Sequence, residues 1–170
     1  MQPDYEIVLG RGIGGILFGI PKKELADILG PPDEIEYSEE AERSVRETYS
    51  YNSIKCSFSF DPDYGDRLVE IIVENGYFHI GKKIRVGVRK EDLLKLGSEL
   101  KFDNCIIEDE RNEEYSSLEI VFYEQVGLHL WLEDGRITAI QISPLVNKEG
   151  LPIWPEPDPG QRGDHKEIIC

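Results

Sequence analysis

Gly14-Gly15-Ile16-Leu17-Phe18-Gly19-Ile20-Pro21-Lys22-Lys23-Glu24-Leu25-Ala26-Asp27-Ile28-Leu29-Gly30-Pro31-Pro32-Asp33 is the stretch on which the reading of this chain turns. It opens with a short apolar run and a tight glycine. Pro21 suits the first turn of a helix, where its missing N–H costs nothing. Leu25, Ile28 and Leu29 then fall three and four apart, on one apolar face. Gly30 supplies a C-terminal cap, and Pro31-Pro32 forbid continuation. The pattern returns downstream: Ile84-Arg85-Val86-Gly87-Val88-Arg89-Lys90-Glu91-Asp92-Leu93 repeats Ile16 to Leu25, glycine on glycine. The expected fold is therefore α+β, as two tandem copies of a helix plus a three-stranded antiparallel meander, with a Pro-rich C-terminal extension. The expected divisions are 1–75 and 76–143 for the two units and 144–170 for the extension.

Around the helices the strands are read from alternation. Tyr5 to Leu9 is a possible first strand. Gly10 to Gly15 is a glycine-rich turn rather than a phosphate loop: no Gly-Lys-Ser/Thr ends it, and the helix starts about six residues too late. Ser38 to Glu47 is charged and reads as a loop or a ragged strand start, before Thr48 to Tyr51. Lys55 to Phe60 puts Cys56, Phe58 and Phe60 on one buried face. Asp61 to Asp66 is a turn, and Arg67 to Val73 is its partner strand. In the second unit Arg89 to Leu96 is the helix, stopped by Gly97. Leu118 to Tyr123, Leu128 to Glu133 and Arg136 to Ile142 are strands, the last two joined by the hairpin signal Asp134-Gly135. His129 and Trp131 share one strand face, expected to be covered by the other unit. Trp154, in the run from Leu151 to Gly160, is expected to anchor that extended segment, and Gln161 to Cys170 to form a mobile tail.

Charge is the outlier. There are 34 acidic and 19 basic residues, a net charge of −15. Such a field repels nucleic acid and anionic membranes and favours basic partners. Cys56, Cys105 and Cys170 are odd in number and lack CxxC spacing, which fits free thiols in a reducing compartment. His79, His129 and His165 pair with no cysteine or His-Glu motif, which argues against zinc. His79 shows no nearby acid-base partner in the sequence. The carboxylates of Asp61, Asp63 and Asp66 lack the glycine and terminal glutamate of a calcium loop. No apolar run approaches the ~20 residues that span a bilayer, so a cytoplasmic location is expected. No nucleophile, metal cluster or phosphate loop is evident, so neither a catalytic role nor a cofactor is expected.

The unit Ile/Val-Gly-Ile/Val-x-Lys-x-x-Leu…Leu-Gly-x-Pro-Asp, followed by aromatic strands and an Asp-Gly hairpin, resembles BamE/SmpA-type α/β domains. The resemblance is best over Gly14 to Asp33 and Leu128 to Ile142. The tandem acidic arrangement without a lipobox is similar to small immunity proteins of bacterial polymorphic-toxin and contact-dependent growth inhibition systems. That resemblance implies a binding protein for a cognate basic toxin domain, expected to be a nuclease, with no nucleic-acid or membrane partner. The alternative is a cytoplasmic scaffold or regulatory protein with a non-toxin partner. The residues expected to meet the partner are Asp61, Asp63 and Asp66 in one acidic loop, Glu108, Asp109, Glu110, Glu113 and Glu114 in the other, and the aromatics Tyr115 and Trp131.

Overall fold

The computed structural model of the protein describes residues 5–40, 44–102, 104–114 and 116–157. Three short strands come first: β1 (Ile7–Val8), β2 (Gly12–Ile13) and β3 (Ile16–Leu17). Helix α1 (Lys22–Leu29) leads into β4 (Glu34–Glu40), β5 (Ser44–Tyr51), β6 (Cys56–Asp61) and β7 (Arg67–Val73). Helix α2 (Lys90–Glu99) leads into β8 (Ile106–Asp109), β9 (Glu119–Tyr123), β10 (Leu128–Glu133) and β11 (Arg136–Ile142). The first three strands form a small sheet of their own, and the other eight form one sheet in the order β4-β5-β6-β7-β11-β10-β9-β8. Every pairing in it is antiparallel.

This overturns the expected fold class. The protein is not two copies of a helix plus a three-stranded meander; it is mostly β, with a continuous eight-stranded sheet. The strand count is wrong because the charged stretch near Glu39 is part of a hairpin, β4 against β5, and not a loop. The sheet is continuous because β7 and β11 pair through Ile71↔Ile142, Ile72↔Gln141 and Val73↔Ile140. Each of these strands has a buried apolar face, so leaving either unpaired would bury backbone N–H and C=O groups without partners. Edge-to-edge pairing satisfies them and leaves only β4 and β8 as sheet edges.

Alternation gives the sheet two distinct faces. On the inner face, Tyr49, Phe58, Ile71, Ile142, Leu128 and Tyr123 lie side by side across the strands, with Tyr51, Cys56, Val73, Ile140, Leu130 and Val121 beside them. All of these belong to or pack against one core. Leu25 of α1, Leu93 of α2 and Phe18, Phe78 and Ile84 from the connecting segments close it.

Each helix is tied to the sheet in the same way. The Gly19 N–H donates to the Leu68 carbonyl at 2.9 Å, and the Leu68 N–H donates to Ile20 at 3.0 Å. Ahead of α2, the Gly87 N–H donates to Ile137 at 2.7 Å, and the Ile137 N–H donates to Val88 at 2.9 Å. The chain turns at φ +88° and +97°, which is why glycine stands at both places. This is what the match between Ile16–Leu25 and Ile84–Leu93 encodes.

Helix α1 ends as expected, with the Gly30 N–H on the Ala26 carbonyl. Helix α2 does not stop at Gly97 but runs on to Glu99. Gly97 is buried there, and a Cβ on it would meet the Tyr123 hydroxyl oxygen at 2.6 Å. The glycine serves a close approach of helix to sheet rather than a helix end. The C-terminal segment returns to the body at Trp154, which packs over Gly19. The expected tail from Gln161 to Cys170 lies outside the described residues.

Candidate functional site

Among the described residues no helix packs on the second face of the large sheet. Its side chains follow from the register. Ser50, Ser57, Ile72, Gln141, His129, Phe122 and Ile106 form one lateral row. Ala139, Trp131, Ile120 and Glu108 form the neighbouring row on the β8 side. Thr48, Ser59 and Glu70 form another on the β4 side. Of these apolar and aromatic residues, Ile72, Phe122 and Trp131 stand apart from the core and are only partly buried. The expectation that the His129–Trp131 face is packed beneath the other half is therefore corrected. The halves join edge to edge, so this face stays open.

A chain of hydrogen bonds runs across it. The Trp131 Nε1–H donates to Gln141 Oε1 at 3.0 Å. Gln141 Nε2 donates to Glu70 Oε2 at 2.8 Å. The Ser59 hydroxyl donates to Glu70 Oε1 at 3.4 Å and shares a 2.9 Å bond with Thr48. Arg46 ends the chain, 3.7 Å from Glu70 and 3.5 Å from Asp61. Trp131, Gln141, Glu70, Ser59 and Thr48 thus each have a partner, which offsets the penalty of burying them. Beside this chain the His129 ring stands edge-on to Phe122, with centroids 4.7 Å apart. Burial pushes the His129 pKa down, against the opposing pull of Glu70 and Glu124.

The expected acidic residues do not converge. Asp61, Asp63 and Asp66 surround the β6–β7 turn, whereas Glu110, Glu113 and Glu114 follow β8 into the β8–β9 connection. Because β7 and β11 run antiparallel, the β6–β7 turn lies at the opposite end of the strands from the β10–β11 turn. The β8–β9 connection sits beside that second turn: the Asp134 N–H donates to the Ser117 hydroxyl at 3.1 Å. In the first cluster, Asp61 Oδ1 caps the Asp63 N–H at 2.8 Å and its other oxygen faces Arg46. Asp66 is paired with Lys22 at 3.1 Å. Burial disfavours the Lys22 charge, but the hydrogen bonds it donates to Glu47 and Asp66 outweigh it and raise its pKa.

In the second cluster, Asp109 is held by the Arg111 guanidinium, whose hydrogen bonds bring its carboxyl down to about 2. Glu108, Glu110, Glu113 and Glu114 are exposed and make no ion pair among the described residues. Glu108 shares the open face with Trp131, two strands or about 10 Å away. Tyr115 lies outside the described residues. Sequence reasoning missed Gln141, Glu70 and Phe122. The signal was slight: Glu70 and Gln141 are single polar residues set in the apolar runs of β7 and β11, and Phe122 reads as one more core aromatic.

His79, expected as a surface or satisfied structural histidine, has a partner that its own segment does not supply. Its Nδ1 stands 2.9 Å from Glu6 Oε2, a partner brought in from β1's side of the molecule. Cys56 is buried and its thiol is pushed up to about 12 by burial, so it is a core residue. Among the described residues no group of His, Cys, Asp and Glu is placed to hold a metal ion, and no helix is long and apolar enough to cross a membrane. The open face thus offers an oriented indole, an aromatic neighbour and a carboxylate edge. Groups of this kind can supply an aromatic anchor and charged contacts to a partner.

No family model matches the chain, and no curated protein matches it. Among solved structures it resembles an extracellular protein containing an SCP domain from Bacillus anthracis str. Ames. That likeness has a TM-score of 0.45 and 14% identity, and covers 88% of this chain and 52% of the other. This chain thus spans about half the length of that one, and a likeness so loose carries no argument.

Proposed function

We propose that the protein is an immunity-type inhibitor that binds a cognate basic toxin domain, of nuclease character, and covers its substrate surface. The observation that carries this reading is the open sheet face. There Trp131 is held in place through Gln141 and Glu70, on the same face as Glu108 two strands away, and the β8–β9 connection beyond carries Glu110, Glu113 and Glu114, all four without an ion pair among the described residues. A pre-oriented aromatic loses little entropy on binding, and carboxylates at its edge occupy the cationic positions that a nuclease keeps for phosphates. The net charge of −15 speeds capture of a basic partner at low salt. On this reading the protein acts in the cytoplasm of the producing cell, without a cofactor or catalytic step. The interface centres on the β8–β10 half, because Asp61 and Asp66 already serve Arg46 and Lys22.

The test uses the full chain to capture partners from its native cell, followed by assay of the purified partner's activity with and without the chain. The expected result is a stoichiometric basic protein whose activity the chain abolishes, and which Trp131→Ala binds at least tenfold more weakly. A partner whose activity is untouched by the chain would overturn the proposal.

A further inference from the structure

The protein contains two grooves built alike, and one of them already holds a peptide. In the first, Gly19, Ile20 and the first turns of α1 form the floor, and Arg67 stands at the rim with its NH1 on the Gly19 carbonyl at 3.0 Å. Trp154 lies over Gly19, so close that a Cβ there would meet its Cε3 at 2.8 Å. The Arg67 guanidinium sits 5.8 Å from the indole centroid, and Tyr64 meets the ring edge-on at 6.3 Å. Pro155 and Pro157 continue the extended segment along the same groove.

The second groove repeats the frame. Gly87, Val88 and Leu96 form its floor, and Arg136 stands at the rim with its NH1 on the Gly87 carbonyl at 3.1 Å. It encloses about 390 Å³. No described atom lies within 4 Å of where a Gly87 Cβ would stand. The rim is also cationic, unusually for so acidic a chain. Asp92 is paired with Arg89 at 3.0 Å and Glu99 with Lys83 at 2.6 Å; among the described residues neither Lys95 nor Arg136 has a carboxylate within ion-pair distance, and Lys95 acts on Glu99 only through space.

From this repetition we infer that the groove over Gly87 is a docking site for a partner's extended peptide, one that presents an aromatic side chain flanked by prolines. The occupant is specified by the first groove, where Leu151 to Pro157 of this chain supplies such a segment. The aromatic ring stacks above the glycine, where a side chain of its own would stand in the way. The guanidinium, fixed by the glycine carbonyl, meets the ring face. Prolines keep the peptide extended before binding and so reduce the entropy lost on docking. Lys95 and Arg136 complement an acidic residue next to the aromatic, as Glu156 follows Trp154 and Pro155 here. This site is separate from the open sheet face and does not depend on the toxin-inhibitor reading.

The experiment titrates the isotope-labelled full chain with a synthetic peptide of the sequence Leu151 to Pro157 and follows backbone amide shifts. Saturable shifts at Gly87, Val88 and Leu96 are expected. They should be abolished when the peptide's tryptophan is replaced by alanine, and the affinity should fall roughly fivefold in Arg136→Ala. Lys95→Glu, an exposed change, is a second variant that weakens binding without touching the fold. Three results would overturn the inference. One is shifts confined to Gly19, Ile20 and Arg67, showing mere exchange with the resident segment. Another is the absence of shifts at millimolar peptide. The third is concentration-dependent self-association lost in Trp154→Ala, which would assign the groove to a second copy of this chain.

Discussion

Single residues here show how one residue type can mean two things. Glycine at 97 reads in sequence as the end of a helix, yet it lies within α2 so that the Tyr123 hydroxyl can approach. Gly97→Ala sets two effects against each other. Alanine favours the helix by about 1 kcal/mol, whereas crowding a packed site costs about 1–3 kcal/mol. The Tyr123 ring is stiff and buried, so crowding wins. The variant should lose about 1 kcal/mol in urea unfolding, and a gain would show that Tyr123 moves freely. His129 makes the second residue-scale prediction. Burial lowers its folded pKa below the ordinary imidazole value of 6.5. Above that pH the ring is neutral in both states, so stability is unaffected. As pH falls below 6.5 the unfolded chain takes up the proton first, and stability declines until the folded pKa is passed. An NMR titration should place the His129 midpoint below 6.5, and His129→Gln should flatten that part of the stability profile.

Among the elements, legibility follows how strictly burial is enforced. Strands β6, β7, β10 and β11 have one face in the core, so their apolar runs could be read directly, although the register shifts at Ser59/Phe60 and Trp131/Leu132 interrupt the alternation. The edge strand β4 carries Ile35 and Tyr37 at alternate positions, but both are exposed and sit among glutamates, so charge hid the pattern. The charge itself is useful there, because it discourages another chain from pairing with the edge. The union of β7 with β11 was not legible at all: it is made by backbone groups, which leave no mark in side-chain chemistry. The openness of the Trp131 face follows from that union and was hidden with it. The Pro-rich segment is the clearest element-scale test. Trp154→Ala removes the ring from Gly19 and the guanidinium of Arg67. It should cost about 2 kcal/mol and make the chain around Leu151 susceptible to limited proteolysis. An unchanged digestion pattern would mean that the segment is held by other contacts, such as the Ile153 N–H on the Leu145 carbonyl.

At the scale of the whole molecule, the inner face of one eight-stranded sheet holds the core, and no helix packs on the outer face among the described residues. Its polar chain from Trp131 to Arg46 crosses β10, β11, β7, β6 and β5, so the join between the two halves lies inside the candidate site. Breaking the chain in its centre should loosen Trp131 without unfolding the protein. Gln141→Leu is expected to keep the melting temperature within a few degrees while raising the mobility of the indole, seen as reduced fluorescence anisotropy. A rigid indole in that variant would mean that packing alone orients it. The most direct test of the central claim, that this face captures a basic protein, is the partner's dissociation constant measured at low and high salt for the native chain and for Glu108→Lys with Trp131→Ala. The account predicts binding that weakens steeply with salt in the native chain and is reduced at least a hundredfold at low salt in the double variant. Binding unaffected by both salt and the double variant would contradict it and place the interface elsewhere on the molecule.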